Sequence, residues 1–454
     1  MFNLSATPTR SEVLIFISKS VSYGNLGAFI GAGFSKAVLN DDLTEIALSW
    51  GELLERSAKK MGVDYEAIEK IGVGYPDIAS TICNKHSQNN NEPYTKSLSC
   101  LKNEIALLTS WYPDKDQREK FSKFLNCLSP SWIITTNYDL VIESLLTGKA
   151  IPLGPNDSLS SPKGVIPVFH LHGRRTNPEE IIISQEDYVA LFRPSEYRQI
   201  KLALTIKEST TLLLGYGLGD VNVLTALDWS KNVFKGEPVN YPNGVIQVLR
   251  KDNPSEAPYR DKNGIVIIES SDVAHFFEEL MKVRNDLLAS EALELEQLKQ
   301  LASNLDNADN TKVEKFIDDA AFRANLLGIL SKFSIHLISS FLSFINKCID
   351  ETWSRSQPYG HFQGYNQNLV ILLDVLTSFP VDRFPPALFE TVAYGLQRVG
   401  YYIGKEPGKS HAAAATWDKR KNELKAETVK ELRSLATQHN YNYLKKLLDS
   451  IQQT

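Results

Sequence analysis

The chain has 454 residues and a formal net charge of −5. That length is too great for one ordinary core, so two domains are expected. The mild acidity argues against a dominant nucleic-acid surface, although a local basic patch remains compatible with it, and no direct nucleic-acid partner is expected. The four cysteines, Cys83, Cys100, Cys127 and Cys348, form no C-x-x-C pair; this argues against a zinc ribbon and fits a reducing cytoplasm.

The first 16 residues, MFNLSATPTRSEVLIF, lack a basic segment followed by a signal-length apolar run. From there to about residue 290, apolar runs alternate with helical periodicity. The runs fall at 26–30, 132–135, 165–171, 210–214, 244–249 and 264–268, with helices expected at 44–60 and 116–128 among others. This alternation predicts an α/β fold built on a doubly wound, Rossmann-like parallel sheet. The continuous apolarity of the runs suits strands buried on both faces.

Residues 291–312 begin as a charged helical pattern and end rich in Asn and Asp, so a linker is expected there. Beyond 313 no strand pattern recurs. The segments 313–349, 366–378, 387–399 and 417–450 read as helices, which predicts an all-α C-terminal domain over 313–454. Leu326 to Ile345 is the best membrane-span candidate, but Lys332, His336 and several serines make it read as a buried amphipathic helix, and no membrane association is expected.

Four motifs sit at strand ends. Gly31-Ala32-Gly33, followed by Ser35, lies where a strand turns into a helix; backbone N–H groups there can approach a pyrophosphate at a helix N-terminus. The dinucleotide fingerprint of dehydrogenases would need a glycine where Lys36 stands, and a plain tight turn is the alternative. Thr135-Thr136-Asn137-Tyr138-Asp139 ends the second apolar run, where doubly wound sheets bind ligands; Asn137 and Asp139 read equally as turn or cap residues. His172-Gly173 ends the third, and histidine suits proton transfer near neutral pH, although a lone histidine is often structural. His170, two residues earlier, would share a face with His172 on a strand, but no third metal ligand stands nearby. Gly215-Tyr216-Gly217-Leu218-Gly219-Asp220-Val221-Asn222 follows the fourth run; Asp220 suits a ribose hydroxyl or a helix cap. Residues 404–410, GKEPGKS, resemble a P-loop, but Ile403 occupies the first glycine's position and no strand precedes it.

The order of these motifs resembles the NAD-consuming core of the sirtuin family over roughly residues 20–285. It is most similar to the bacterial sirtuin-like branch of NAD-cleaving defence effectors. Ser49-Trp50-Gly51-Glu52-Leu53-Leu54, Asp187-Tyr188 and Leu191-Phe192 also look like that branch. The resemblance implies that Gly31, Ala32, Gly33 and Ser35 contact NAD phosphates and ribose, and it counts Thr136 and Tyr216 among the residues that bind the cofactor. It makes Asn137 the residue that holds the nicotinamide ribose or positions a water, Asp139 the residue that orients this shell, and His172 the general base. Gly215, Asp220 and Asn222 would hold the adenosine side.

Protein-deacetylating sirtuins carry two cysteine pairs for zinc after the His-Gly motif, and residues 173–215 contain no cysteine. No zinc is therefore expected. Residues 36–46, KAVLNDDLTEI, also lack the arginine-bearing loop of those enzymes. The expected activity is NAD hydrolysis to nicotinamide and ADP-ribose, which depletes NAD in anti-phage defence (abortive infection). The alternatives are a protein deacylase or ADP-ribosyltransferase, and a non-catalytic NAD or ADP-ribose sensor. By family analogy, a separately encoded DNA translocase ATPase would be a partner, and the helical domain would regulate the enzyme through homo-oligomerisation or such a partner.

Overall fold

The structure is a computed structural model that describes residues 4–40, 46–68, 73–158, 160–191, 197–217, 221–233, 243–356 and 362–451. The chain divides into two compact units, Met1–Ala289 and Ser290–Thr454.

The first unit is built on an eight-stranded sheet: β1 (Leu26–Ile30), β2 (Trp132–Thr135), β3 (Ala150–Leu153), β4 (Ile166–His170), β5 (Thr210–Leu214), β6 (Val245–Arg250), β7 (Tyr259–Arg260) and β8 (Val266–Ser270). Their order across the sheet is β3-β4-β2-β1-β5-β6-β8-β7. Among the described residues, only the β7–β8 pairing is antiparallel. Side chains alternate between two cores, as the two-residue period of a strand requires. Leu26, Ala28, Ile30, Ile133, Leu212 and Leu214 enter one core with Phe34, Phe121 and Phe276. Phe29, Trp132, Ile134 and Leu213 enter the other, with Phe169 and Tyr216. This double burial explains why the strands are apolar without a break.

Two strands lie outside the sequence reading. β3 is an edge strand containing Pro152, which lacks the N–H a central strand would need. β7 has only two residues. Between β1 and β2 the chain builds a helical insertion from Trp50–Lys60, Tyr75–Asn90 and Tyr94–Leu108. Its own core of Leu54, Ile78, Ile82, Leu101 and Ile105 closes over Tyr138, Ile181 and Ile183, next to the ends of β2 and β4.

The second unit is helical, including Asn310–Asp318, Ala320–Arg355, Gln363–Ser378, Pro386–Gly400, His411–Arg420, Ala426–Gln438 and Asn442–Asp449. Most of residues 291–312 lie in helices: Val273–Asp306 is one helix, and the chain leaves helical form at Asn307–Asp309 before Asp309 caps the next helix. The apolar spacing Leu298–Leu305 explains this, because both side chains are buried in the helical core and hold the polar stretch in register. Ala320–Arg355 is long and apolar enough to cross a membrane by length and composition. Its Leu326, Leu330, Leu337, Phe341 and Phe344 are buried in the same core, and each fully buried side chain of this kind contributes about 2 kcal/mol. A departure from helical backbone at Phe333 bends it.

Candidate active site

Strand register decides what meets at the sheet's carboxyl edge. Ile30 pairs with Thr135 on one side and Leu214 on the other, and Thr135 pairs with His170. The next residues of β1, β2, β4 and β5 therefore leave the same edge together. Strand order reverses at β1, with β2 on one side and β5 on the other, which is where open parallel sheets bind ligands.

The two glycine turns interlock. Gly31 N–H donates to Leu214 O at 2.8 Å and Gly33 N–H to Gly215 O at 3.0 Å. A Cβ on Gly33 would stand 2.8 Å from Gly215 O. Gly215 itself has φ +72°, and a Cβ there would collide with the backbone N of Phe34. Gly31 is the N-cap of the helix Ala32–Leu39 and offers no side-chain cap; Gly33 N–H and Phe34 N–H are engaged by Gly215 O and Gly31 O, so an anion here would be favoured mainly by the positive end of the helix.

Beside these turns lies a buried polar cluster. Ser35 is 1% exposed, Asp139 3% and Asn137 7%. The Ser35 hydroxyl donates to Asp139 Oδ2 at 3.1 Å and accepts from Asn137 Nδ2 at 3.0 Å. Asp139 Oδ1 accepts from Val141 N–H at 3.0 Å. Burial raises the Asp139 pKa to about 6, against the lowering effect of the Val141 and Ser35 hydrogen bonds. Ser35 thus faces the protein and couples Asn137 to Asp139. Thr135 Oγ1 fixes the turn, donating to Ile30 O and accepting from Asn137 N–H. Thr136 Oγ1 lies 3.1 Å from the Tyr216 hydroxyl, which also donates to Ile30 O.

The histidines have separate surroundings, which corrects the expectation of a shared face. β4 ends at His170, so His172 has already left the strand. His170 spends Nδ1 on Asn137 O at 2.9 Å and Nε2 on Glu143 at 2.8 Å. Burial depresses its pKa, but Glu143 and the Asn137 carbonyl outweigh this and leave it raised. His170 therefore supports the backbone of Asn137. His172, 1% exposed, has the Tyr188 hydroxyl 3.3 and 3.4 Å from its two ring nitrogens and the Trp50 ring at 5.9 Å.

Local sequence explains both neighbours. Ser49 and Glu52 form a capping box that starts a helix at Trp50, next to the histidine. Asp187 Oδ2 accepts from the N–H groups of Ile183 and Ser184, while Oδ1 pairs with the buried Lys102 at 2.9 Å, which anchors Tyr188 against the insertion. Sequence reasoning noted these segments without assigning them a contact; the Ser-x-x-Glu spacing was the available signal.

A cleft of about 780 Å³ opens beside the glycine turns, lined among others by Gly33, Lys36, Gly215, Tyr216, Arg250 and Asp272. That volume lies in the range of roughly 300–1,000 Å³ typical of ligand sites. Asn137 and His172 do not line it; Thr136 is linked to it through Tyr216. Asp220 and the side chain of Asn222 lie outside the described residues. Among the described residues, no group of three His, Cys, Asp or Glu is arranged to hold a metal ion.

No curated protein matches the chain. Residues 131–268 match the family model described as SIR2-like domain, a stretch that contains Asn137, Asp139, His172 and Gly215 and excludes Gly31–Gly33 and Ser35. This stretch, which lies on the Rossmann-like sheet, is therefore similar to SIR2-like domains, a family linked in general to NAD chemistry.

Proposed function

We propose that the first unit hydrolyses NAD at the nicotinamide–ribose bond and releases nicotinamide and ADP-ribose. The observation that carries this reading is the delivery of Gly31–Gly33, Asn137, His172 and Gly215 to one sheet edge, with Asn137 held by Ser35 and Asp139.

Nicotinamide leaves as a neutral molecule from a cationic centre, so positive charge grows on the ribose as the C–N bond breaks. The electron pair goes to nicotinamide, a water oxygen bonds to the ribose carbon, and His172 takes the proton before solvent does. With Nδ2 donating to Ser35, Asn137 can turn its side-chain amide oxygen, Oδ1, to orient that water or a ribose hydroxyl. Burial under the helical insertion keeps these dipoles effective. The glycine turns and the N-terminus of Ala32–Leu39 suit the pyrophosphate, and the cleft suits the adenosine side.

NAD depletion of this kind serves anti-phage defence on this reading, with the helical unit restraining or triggering the enzyme through self-assembly or a partner such as a DNA translocase. Incubation of the purified chain with NAD, with nicotinamide and ADP-ribose quantified, tests the chemistry. Acyl-ADP-ribose formed from an acylated peptide would instead favour a deacylase. NAD that raises the melting temperature without being consumed would favour a sensor.

A further inference from the structure

The charge of this chain is unevenly placed. Residues 391–454 hold eleven Lys or Arg and six Asp or Glu, a formal +5 in a chain of −5 overall. Part of this excess coincides with exposed rings. On the helix Pro386–Gly400, Tyr394, Arg398 and Tyr401, its C-cap, recur at the spacing that places residues on one face. Tyr394 is 51% exposed, Tyr401 47% and Tyr443 41%. Single exposed rings are ordinary, but rings grouped on one surface, as Tyr401 and Tyr443 are, mark a site of interaction.

The cations are built into this face. Arg398 stacks 4.7 Å from the centre of the Trp353 ring and 5.9 Å from that of Tyr394. Lys409, from the segment that resembles a P-loop, places Nζ 3.4 Å from the centre of the Tyr401 ring. The Tyr443 ring packs 5.2 Å from Tyr401, and Gln397 fixes its backbone by accepting from the N–H groups of Tyr443 and Leu444. Rings and positive charges alternate along one surface, which is the arrangement that stacks bases while neutralising phosphates.

We infer that this face of the helical unit, formed by Tyr394, Arg398, Tyr401, Lys409 and Tyr443, binds single-stranded nucleic acid without sequence preference. A polyanion fits the local positive excess, and unstacked bases fit exposed rings held at fixed spacing. An acidic protein would meet the charge but leave the rings without stacking partners. The whole-chain acidity masked this surface, because the first 390 residues carry the balancing negative charge.

The test is fluorescence anisotropy of labelled oligo(dT) and oligo(rU) of about 20 nucleotides with the full chain, across a salt series. Saturable binding that weakens steadily with salt is expected. Tyr401→Ala and Tyr443→Ala should each weaken it roughly tenfold, Tyr401→Phe should restore it, and Arg398→Ala should flatten the salt slope. The DNA and RNA arms separate the two sources of single strand. No binding to either at low salt would overturn the inference. So would binding that heparin and duplex DNA match and that the tyrosine variants leave intact, or equal binding to anionic vesicles. Because the tyrosines are exposed, an unchanged circular dichroism spectrum in each variant separates lost contact from lost fold.

Discussion

Both units bury charged side chains, but they use them differently. In the helical unit, Arg323 is 3% exposed; its Nε meets Asp374 at 2.6 Å, and Nη1 donates to the carbonyls of Phe316 and Ile317 at 2.7 and 2.9 Å. Those carbonyls belong to the last turn of Asn310–Asp318, so the guanidinium closes a helix end and ties it to Gln363–Ser378. At the sheet edge of the first unit, Asp139 is as deeply buried, yet no cation neutralises it at hydrogen-bond distance; its partners are a hydroxyl and an amide. Its pKa rises to about 6 as a result. A buried charge in direct contact with a counter-charge holds structure, whereas one hydrogen-bonded to dipoles, with His170 acting on it only through space, stays able to change protonation, the property expected at a working site.

The sharpest way to break this comparison is at the interlocked turns. Gly215→Ala would need a left-handed backbone and would collide with Phe34, so it should cost the first unit about 4 kcal/mol and leave the helical unit's transition in place. Chemical denaturation followed on both units reads this directly; a variant as stable as the wild type would mean that the turns are free to separate.

Asp139→Asn addresses the carboxyl itself. The folded pKa of Asp139 is raised above its unfolded value near 3.9, so the protonated form is favoured on folding. Its stabilising contribution is full below about pH 4 and is lost as pH rises through about 6, up to about 3 kcal/mol. The Asn variant should flatten the stability profile in that window and remove any activity step near pH 6. His170 acts in the same direction at higher pH, so a His170→Gln control separates the two.

Arg323→Met tests the other side. It removes one partner of a buried pair and should cost the helical unit about 3 kcal/mol, with the Michaelis constant for NAD unmoved. A shift in that constant would show that the two kinds of burial are not separate. The smallest effect is expected from Tyr188→Phe. It keeps the ring beside His172 and removes only the hydroxyl, so turnover should fall about fivefold, with the melting temperature held within about a degree.

Much of this could be read from the residues. The apolar runs gave β1, β2 and β5 their bounds, because a strand buried on both faces is apolar throughout. Motif position gave the shared edge at which the segments carrying Gly31, Asn137, His172 and Gly215 leave their strands, because parallel strands all end on one edge. What was hidden depends on contacts distant in sequence. Ser35 and Asp139 lie 104 residues apart, and nothing local announces that the serine hydroxyl turns inward to join them. The Gly33–Gly215 approach makes glycine necessary for packing as well as for any ligand. The insertion 75–108 is rich in Ser, Asn and Lys, and its buried face is recognisable only against Tyr138 and Ile183. Pro152 concealed β3, since proline marks a strand only when the strand is known to be an edge.

The central claim is that the strand-end site cleaves NAD. The most direct measurement is nicotinamide released from NAD by the purified full chain, compared with His172→Ala and Asn137→Ala at matched folded fraction. The account predicts steady release by the wild type and a loss of at least about a hundredfold in each variant. Release that persists at the wild-type rate in either variant would contradict it.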